Sequence, residues 1–231
     1  MKISIMGAMV EEITPLLDFF GTYQTMEFAK NRYYSTRYKN VEVVLAYSKI
    51  GKVNASLTAS TLIEKFGADI LLFSGVAGAL NPDLKIGDVI VASQLAQHDL
   101  DITVFGHPHG YVPEGAVYVA TDPKLTDIAK KVAQKQNILL KEGIIATGDQ
   151  FICDGTKKEW IRSTFHADAT EMEGASVAVV CDALNIPFCV LRAISDAADM
   201  DAGFSFDEFL VSSAQESARF LIAMLDELID A

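Results

Sequence analysis

Cationic side chains are in short supply in this chain: 19 Lys and Arg stand against 31 Asp and Glu, a formal net charge of −12. Binding to nucleic acid or to an anionic membrane rests on clustered Lys and Arg that displace counterions, so neither is an expected partner. Cysteine is sparse too. Cys153, Cys181 and Cys189 are odd in number and show no C-x-x-C spacing, which argues against a disulfide framework or zinc site and for a reducing compartment. All three read as small buried hydrophobes. Of the four histidines, His98 beside Asp99 and Asp101 makes too thin a donor set for a metal, and none is expected. His107 and His109 flank Pro108 in a Gly-rich surface loop. No apolar run reaches the roughly 18 residues that a membrane-spanning helix needs, and Met1 to Gly7 lacks the parts of a signal peptide, so a cytoplasmic location is expected. No segment is biased toward Pro, Gly or Ser, which leaves no linker or disordered stretch, and 231 residues fit a single domain with a large core.

What is present is an alternation of Val-, Ile- and Leu-rich runs with longer segments of helical period, the pattern of a sheet with helices on its faces. Strands are expected at residues 2–7, 41–47, 70–74, 88–93, 142–147, 169–171 and 188–194, and helices at 11–20, 52–66, 122–137, 157–164, 175–184 and 206–229. Residues 23–38 alternate aromatic with polar side chains, which suits a strand pair and a mixed sheet. Several strands end in glycine turns: Gly7-Ala8-Met9, Gly51-Lys52, Gly75-Val76-Ala77-Gly78 and Gly148-Asp149. Ligands of open α/β sheets sit outside such strand ends. Gly75 to Gly78 lacks the full G-x-G-x-x-G spacing of a dinucleotide site, so no cofactor is expected. Lys49 and Lys52 read as solvated.

Carboxylates gather at three of these strand ends. Glu11 and Glu12 follow the first, and either suits a helix N-terminus. Glu171-Met172-Glu173-Gly174 follows another; in extended chain its two carboxylates point opposite ways, and alternation does not say which faces a pocket. Arg192-Ala193-Ile194-Ser195-Asp196 closes the last apolar run before the polar turn Ala198 to Asp201, where Asp196 could equally be a turn cap. Carboxylates without clustered cations suit acid and base chemistry on a neutral ligand. By themselves these residues support a small-molecule hydrolase or a binding protein.

Gly7-Ala8-Met9-Val10-Glu11-Glu12, Ile50-Gly51-Lys52-Val53, Ser74-Gly75-Val76-Ala77-Gly78, Thr147-Gly148-Asp149-Gln150-Phe151-Ile152, Glu171-Met172-Glu173-Gly174 and Arg192-Ala193-Ile194-Ser195-Asp196 resemble, in order and along the whole chain, the motifs of the 5′-methylthioadenosine/S-adenosylhomocysteine nucleosidases. The chain also resembles the branch of that family that cleaves 6-amino-6-deoxyfutalosine on a route to menaquinone. The resemblance implies a three-layer α/β/α, phosphorylase-like fold with a twisted mixed central sheet, a homodimer, and hydrolysis of an adenine nucleoside by water. It implies that Asp196 protonates adenine N7, Glu12 activates water and Glu173 holds the ribose hydroxyls. Phe151, Met172 and Phe206 would pack on adenine and ribose, and Ile152 would offer backbone groups to the base. Met9, Ile50, Val76 and Gly78 would line the ribose and 5′ side, and Ala8, Glu171, Arg192 and Ser195 complete the substrate-binding set. Ile102, Phe105 and Pro113 of a partner subunit would close the 5′ pocket.

Val76 departs from the pattern, since many members carry Ser there, which removes a hydroxyl from the ribose side. The rival readings are a purine nucleoside phosphorylase of the same fold, which Glu12 opposes by repelling phosphate, and a non-catalytic adenine-nucleoside sensor, which would not need three carboxylates.

Overall fold

The computed structural model describes residues 1–199 and 201–230; Met200, part of the polar segment 198–201 read from the sequence, lies outside them. Ten strands and six helices follow in the order β1 (Lys2–Gly7), α1 (Val10–Phe20), β2 (Gln24–Phe28), β3 (Asn31–Tyr38), β4 (Val41–Tyr47), α2 (Lys52–Glu64), β5 (Ile70–Ala79), β6 (Val89–Gln97), β7 (Tyr118–Ala120), α3 (Pro123–Gln136), β8 (Leu140–Thr147), α4 (Gly155–Phe165), β9 (Ala169–Glu171), α5 (Gly174–Ala183), β10 (Phe188–Asp196) and α6 (Ala202–Asp230). All ten strands form one mixed sheet. β5, β10, β6, β8 and β9 pair in a closed ring, and β1, β4, β3 and β2 extend from its β5 side.

Side-chain alternation on these strands builds two faces. On one, Leu71 and Phe73 of β5 pack with Ala55, Ala59 and Leu62 of α2 and with Val177 and Cys181 of α5. On the other, Ile3 and Ile5 of β1 and Leu72 of β5 pack with Leu16 of α1, Leu125 of α3 and Leu221 and Met224 of α6. Helices thus cover both faces, the expected three-layer α/β/α arrangement. Local signals start the helices: Asp122 accepts the backbone N–H groups of Lys124 and Leu125 at the head of α3, and Asp154 accepts that of Lys157 in α4.

Four readings need correction. Gly75 to Gly78 is not a turn. β5 runs through it to Ala79, pairing in parallel with β10, Gly75 opposite Arg192 and Gly78 opposite Asp196. β7, three residues paired on the edge of β6, was not anticipated because so short a run carries no periodicity. Cys153 is exposed, whereas Cys181 and Cys189 are buried, which pushes both of their thiols up to about 12. Lys52 is not solvated, because an acidic partner far along the chain draws it inward. Among the described residues, no helix is long and apolar enough to cross a membrane.

Candidate active site

A cavity of about 500 Å³ opens where the carboxyl ends of β1, β5, β8, β9 and β10 converge. Its wall is mostly apolar. Met9, Ile50, Phe151, Ile152, Met172 and Phe206 supply the large surfaces, and Phe151 meets Phe206 edge to face with ring centroids 5.5 Å apart. Into this lining three strand ends deliver Glu12, Glu173 and Asp196, each at most 5% exposed.

Glu12 lies in the first turn of α1, and the helix explains its reach. Its side chain turns back over the β1–α1 connection, where one oxygen accepts the N–H of Ala8 at 2.5 Å and of Met9 at 3.0 Å. The other crosses to β5 and accepts the Val76 N–H at 3.0 Å. Glu11, one residue earlier, points to solvent. The backbone anchor makes no use of the side chain at position 76, so Val76 in place of Ser leaves it whole. Burial raises the Glu12 pKa, against the opposing pull of the Arg192 charge and the three N–H groups.

The glycines of β5 provide room, not turns. Neither Gly75 nor Gly78 has a positive φ. A Cβ on Gly75 would stand 2.5 Å from Glu12 Oε1, and one on Gly78 would stand 2.6 Å from Asp196 Oδ1. Each glycine therefore lets a carboxylate lie against the strand. Gly75→Ala is expected to lower stability by about 1–3 kcal/mol through overpacking, read as a lower urea midpoint at unchanged m-value.

Asp196 is aimed by a bulge. The β5–β10 register slips between Ile194 and Asp196, leaving Ser195 as the extra residue; bulges next to active sites commonly redirect a side chain in this way. Asp196 Oδ1 accepts the Ala198 N–H at 2.8 Å and Oδ2 accepts the Ser195 hydroxyl at 2.9 Å. Burial raises its pKa, opposed by those two bonds.

Glu171 and Glu173 divide as alternation allowed but could not assign. Arg192, 1% exposed, lies behind the cavity wall and donates to Glu171 Oε2 at 2.8 Å. The same carboxylate accepts the Thr147 hydroxyl and the N–H groups of Glu173 and Gly174. Glu171 is thereby committed to holding the start of α5. The Glu173 carboxylate accepts one bond among the described residues, from the Gly51 N–H at 2.7 Å, and burial together with the neighbouring Glu171 raises its pKa to about 8.

Ala8, Val76, Gly78, Glu171 and Ser195 reach the cavity wall with the residues named above. Arg192 does not: its guanidinium is spent on Glu171 and the Phe73 and Leu191 carbonyls. Ile102, Phe105 and Pro113 also lie away from this chain's own cavity, in a loop where Phe105 is 77% exposed. The sequence reading missed Gln150, Thr170, Gly203 and Asp207 on the wall. Gln150 lies within a named motif and Thr170 adjoins one, while Gly203 and Asp207 flank Phe206, the residue of α6 that the resemblance had named. No Lys or Arg is among the described residues that line the cavity.

The family model of the phosphorylase superfamily matches residues 2–229. The chain belongs to this superfamily. Its relatives there include nucleosidases. The aminodeoxyfutalosine nucleosidase of Campylobacter jejuni is 60% identical over 228 residues, 99% of this chain and 100% of the relative. The 5′-methylthioadenosine/S-adenosylhomocysteine nucleosidase of Actinobacillus succinogenes is 39% identical over 229 residues, 99% of this chain and 100% of the relative. The native futalosine hydrolase of Helicobacter pylori has the same fold, with a TM-score of 0.97 at 52% identity over 98% of this chain and 97% of that one. For this superfamily member the carboxylates of the cavity wall bear on how an anion would be received there. A phosphate anion wants Arg or a nest of free N–H groups, and the N–H groups of Ala8, Met9 and Val76 are taken by Glu12.

Proposed function

We propose that this chain is an N-glycosyl hydrolase that cleaves 5′-substituted adenosines with water and releases adenine. Its substrates would be 5′-methylthioadenosine, S-adenosylhomocysteine, 5′-deoxyadenosine and 6-amino-6-deoxyfutalosine, which places it in methionine salvage and menaquinone formation, in the cytoplasm, as one domain per subunit. The observation that carries the reading is the pair Glu12 and Asp196, two buried carboxylates in one apolar cavity with different partners. Carboxylates in contrasting environments divide acid from base.

Adenine is a poor leaving group as an anion. Asp196 gives its proton to N7 as the bond from C1′ to N9 breaks, and the base departs neutral. Burial favours the protonated form that this role needs. Glu12, whose carboxylate form three N–H groups support, takes a proton from the water whose oxygen bonds to C1′. Glu173 accepts the ribose hydroxyls, and in its ionised form, which gains ground as pH rises through about 8, its negative charge stabilises the cationic sugar. Phe151 and Phe206 provide flat surface for the base.

A homodimer completes the pocket in this reading. Ile50, Val53, Leu57, Val104 and Phe105 are large apolar side chains, each more than half exposed, a composition that suits burial against a second copy. Ile102, Phe105 and Pro113 of that copy would close the 5′ side.

Purified protein given 5′-methylthioadenosine or 6-amino-6-deoxyfutalosine in buffer free of phosphate and metal is expected to release adenine from both. Cleavage that depended strictly on added phosphate would replace hydrolysis by phosphorolysis.

A further inference from the structure

Three loops far apart in sequence are tied into a ring beside Glu173. The Lys52 backbone N–H donates to Asp149 Oδ1 at 2.8 Å, the Asp149 N–H donates to Asp99 Oδ2 at 2.8 Å, and Lys52 Nζ closes the ring on Asp99 Oδ1 at 2.6 Å. Nζ also donates to Gln97 at 3.1 Å. The ion pair is largely shielded, with side-chain exposures of 17% for Lys52 and 15% for Asp99. Burial pushes Asp99 up, but the Lys52 ammonium and the Asp149 N–H outweigh it and hold the carboxyl below its usual range. Behind the ring the buried His98 packs against the backbone of Gly148, leaving no room there for a side chain.

The residue before Lys52 is Gly51, whose N–H makes the one hydrogen bond that the Glu173 carboxylate accepts among the described residues. Gly51 sits at φ +99, and a Cβ there would approach Asp149 Oδ1 to 3.1 Å. The direction of that N–H is thus set where the ring grips the chain. We infer that Lys52, Asp99 and Asp149 are positioning residues for catalysis: the ring fixes the Gly51 amide, which in turn fixes the Glu173 carboxylate on the ribose side. This rests on the role proposed for Glu173 and goes beyond it by assigning three side chains outside the cavity.

Asp99→Asn is the discriminating change. Both groups that Asp99 accepts from are donors, and an amide offers only one acceptor oxygen, so one side of the ring must open. kcat/KM for 5′-methylthioadenosine is expected to fall about 10- to 100-fold, mostly in kcat. In a Glu173→Gln background the same change should cost no more than about a further twofold, because the two act through one carboxylate. An unchanged kcat/KM, or an equal loss in both backgrounds, overturns the inference.

A readout free of turnover separates this from failure of the hydrolase reading. In ¹³C-glutamate-labelled protein, Glu173 should titrate higher after Asp99→Asn, since its carboxylate loses the Gly51 N–H. Removing the Asp99 charge by itself would shift it the other way. The other groups that act on Glu173, namely Glu171, Glu12 and Arg192, are unaltered. A midpoint that is unmoved or lower overturns the inference even in a protein that turns nothing over, and a higher one supports it there. Should Asp99→Asn fail to fold, Lys52→Met opens the ring from the other side, and the comparison with and without Glu173→Gln decides.

Discussion

Asp196→Asn is expected to lower kcat for adenine release by at least ~10³-fold while nucleoside affinity stays close to that of the native protein. The substitution is nearly isosteric. The Asn oxygen can still accept the Ala198 N–H, which Asp196 Oδ1 takes at 2.8 Å, and the amide can face Ser195, whose hydroxyl both donates and accepts. What disappears is the transferable proton, so adenine must leave as an anion. Initial rates of adenine formation, with calorimetric titration of 5′-methylthioadenosine, give the two quantities separately. The pH profile adds a sign. Burial raises Asp196 above the ordinary carboxylate range, so the acid form persists to higher pH, and kcat/KM should fall as pH climbs through that raised value. This alkaline limb should be missing from the residual activity of Asp196→Asn. Turnover near the native rate would remove Asp196 from the acid role.

The elements that could be read from the sequence are those whose signal is local. β1, β4 and β9 fall at the residues that alternation and apolar content indicate, and α3 is marked by its helical period and by the Asp122 cap. The misreadings around the site share one cause, a partner distant in sequence. Gly75 and Gly78 look like turn residues, yet they are glycines because carboxylates 63 and 118 positions away by residue number, Glu12 and Asp196, press against β5. Lys52 looks solvated, yet Asp99, 47 residues on, and Asp149, 97 residues on, enclose it. Arg192 sits in a motif that reaches the cavity, yet its guanidinium turns to Glu171, 21 residues earlier. That same contact decides which of Glu171 and Glu173 remains available. For the site, then, the kinds of residue and the strand ends were legible; the direction of each side chain was a property of the packed sheet.

Glu12→Gln is expected to match or exceed the loss in Asp196→Asn, at least ~10³-fold in kcat, for two separable reasons. The first is chemical: an amide cannot take the proton of the attacking water. The second is structural, because both Glu12 oxygens accept backbone N–H groups, from Ala8 and Met9 on one side and from Val76 on the other. A Gln must present its NH₂ to one side, where donor meets donor in a buried place, and an unsatisfied buried group costs about 1–3 kcal/mol. Glu12→Gln should therefore lower the urea midpoint as well as kcat, whereas Asp196→Asn should affect mainly kcat. In the native enzyme Glu12 works as a base only when ionised. Burial raises its pKa, so kcat/KM should fall as pH drops through a value above the ordinary glutamate range, an acid limb shared with Glu173, which must also be ionised and is raised to about 8, opposite the alkaline limb of Asp196. Formate supplied to a smaller Glu12→Ala protein gives the chemical half its own measurement. Rescue of adenine release that grows with the fraction of ionised formate would assign the loss to the missing base, and a loss that formate leaves unchanged would assign it to the broken backbone anchor.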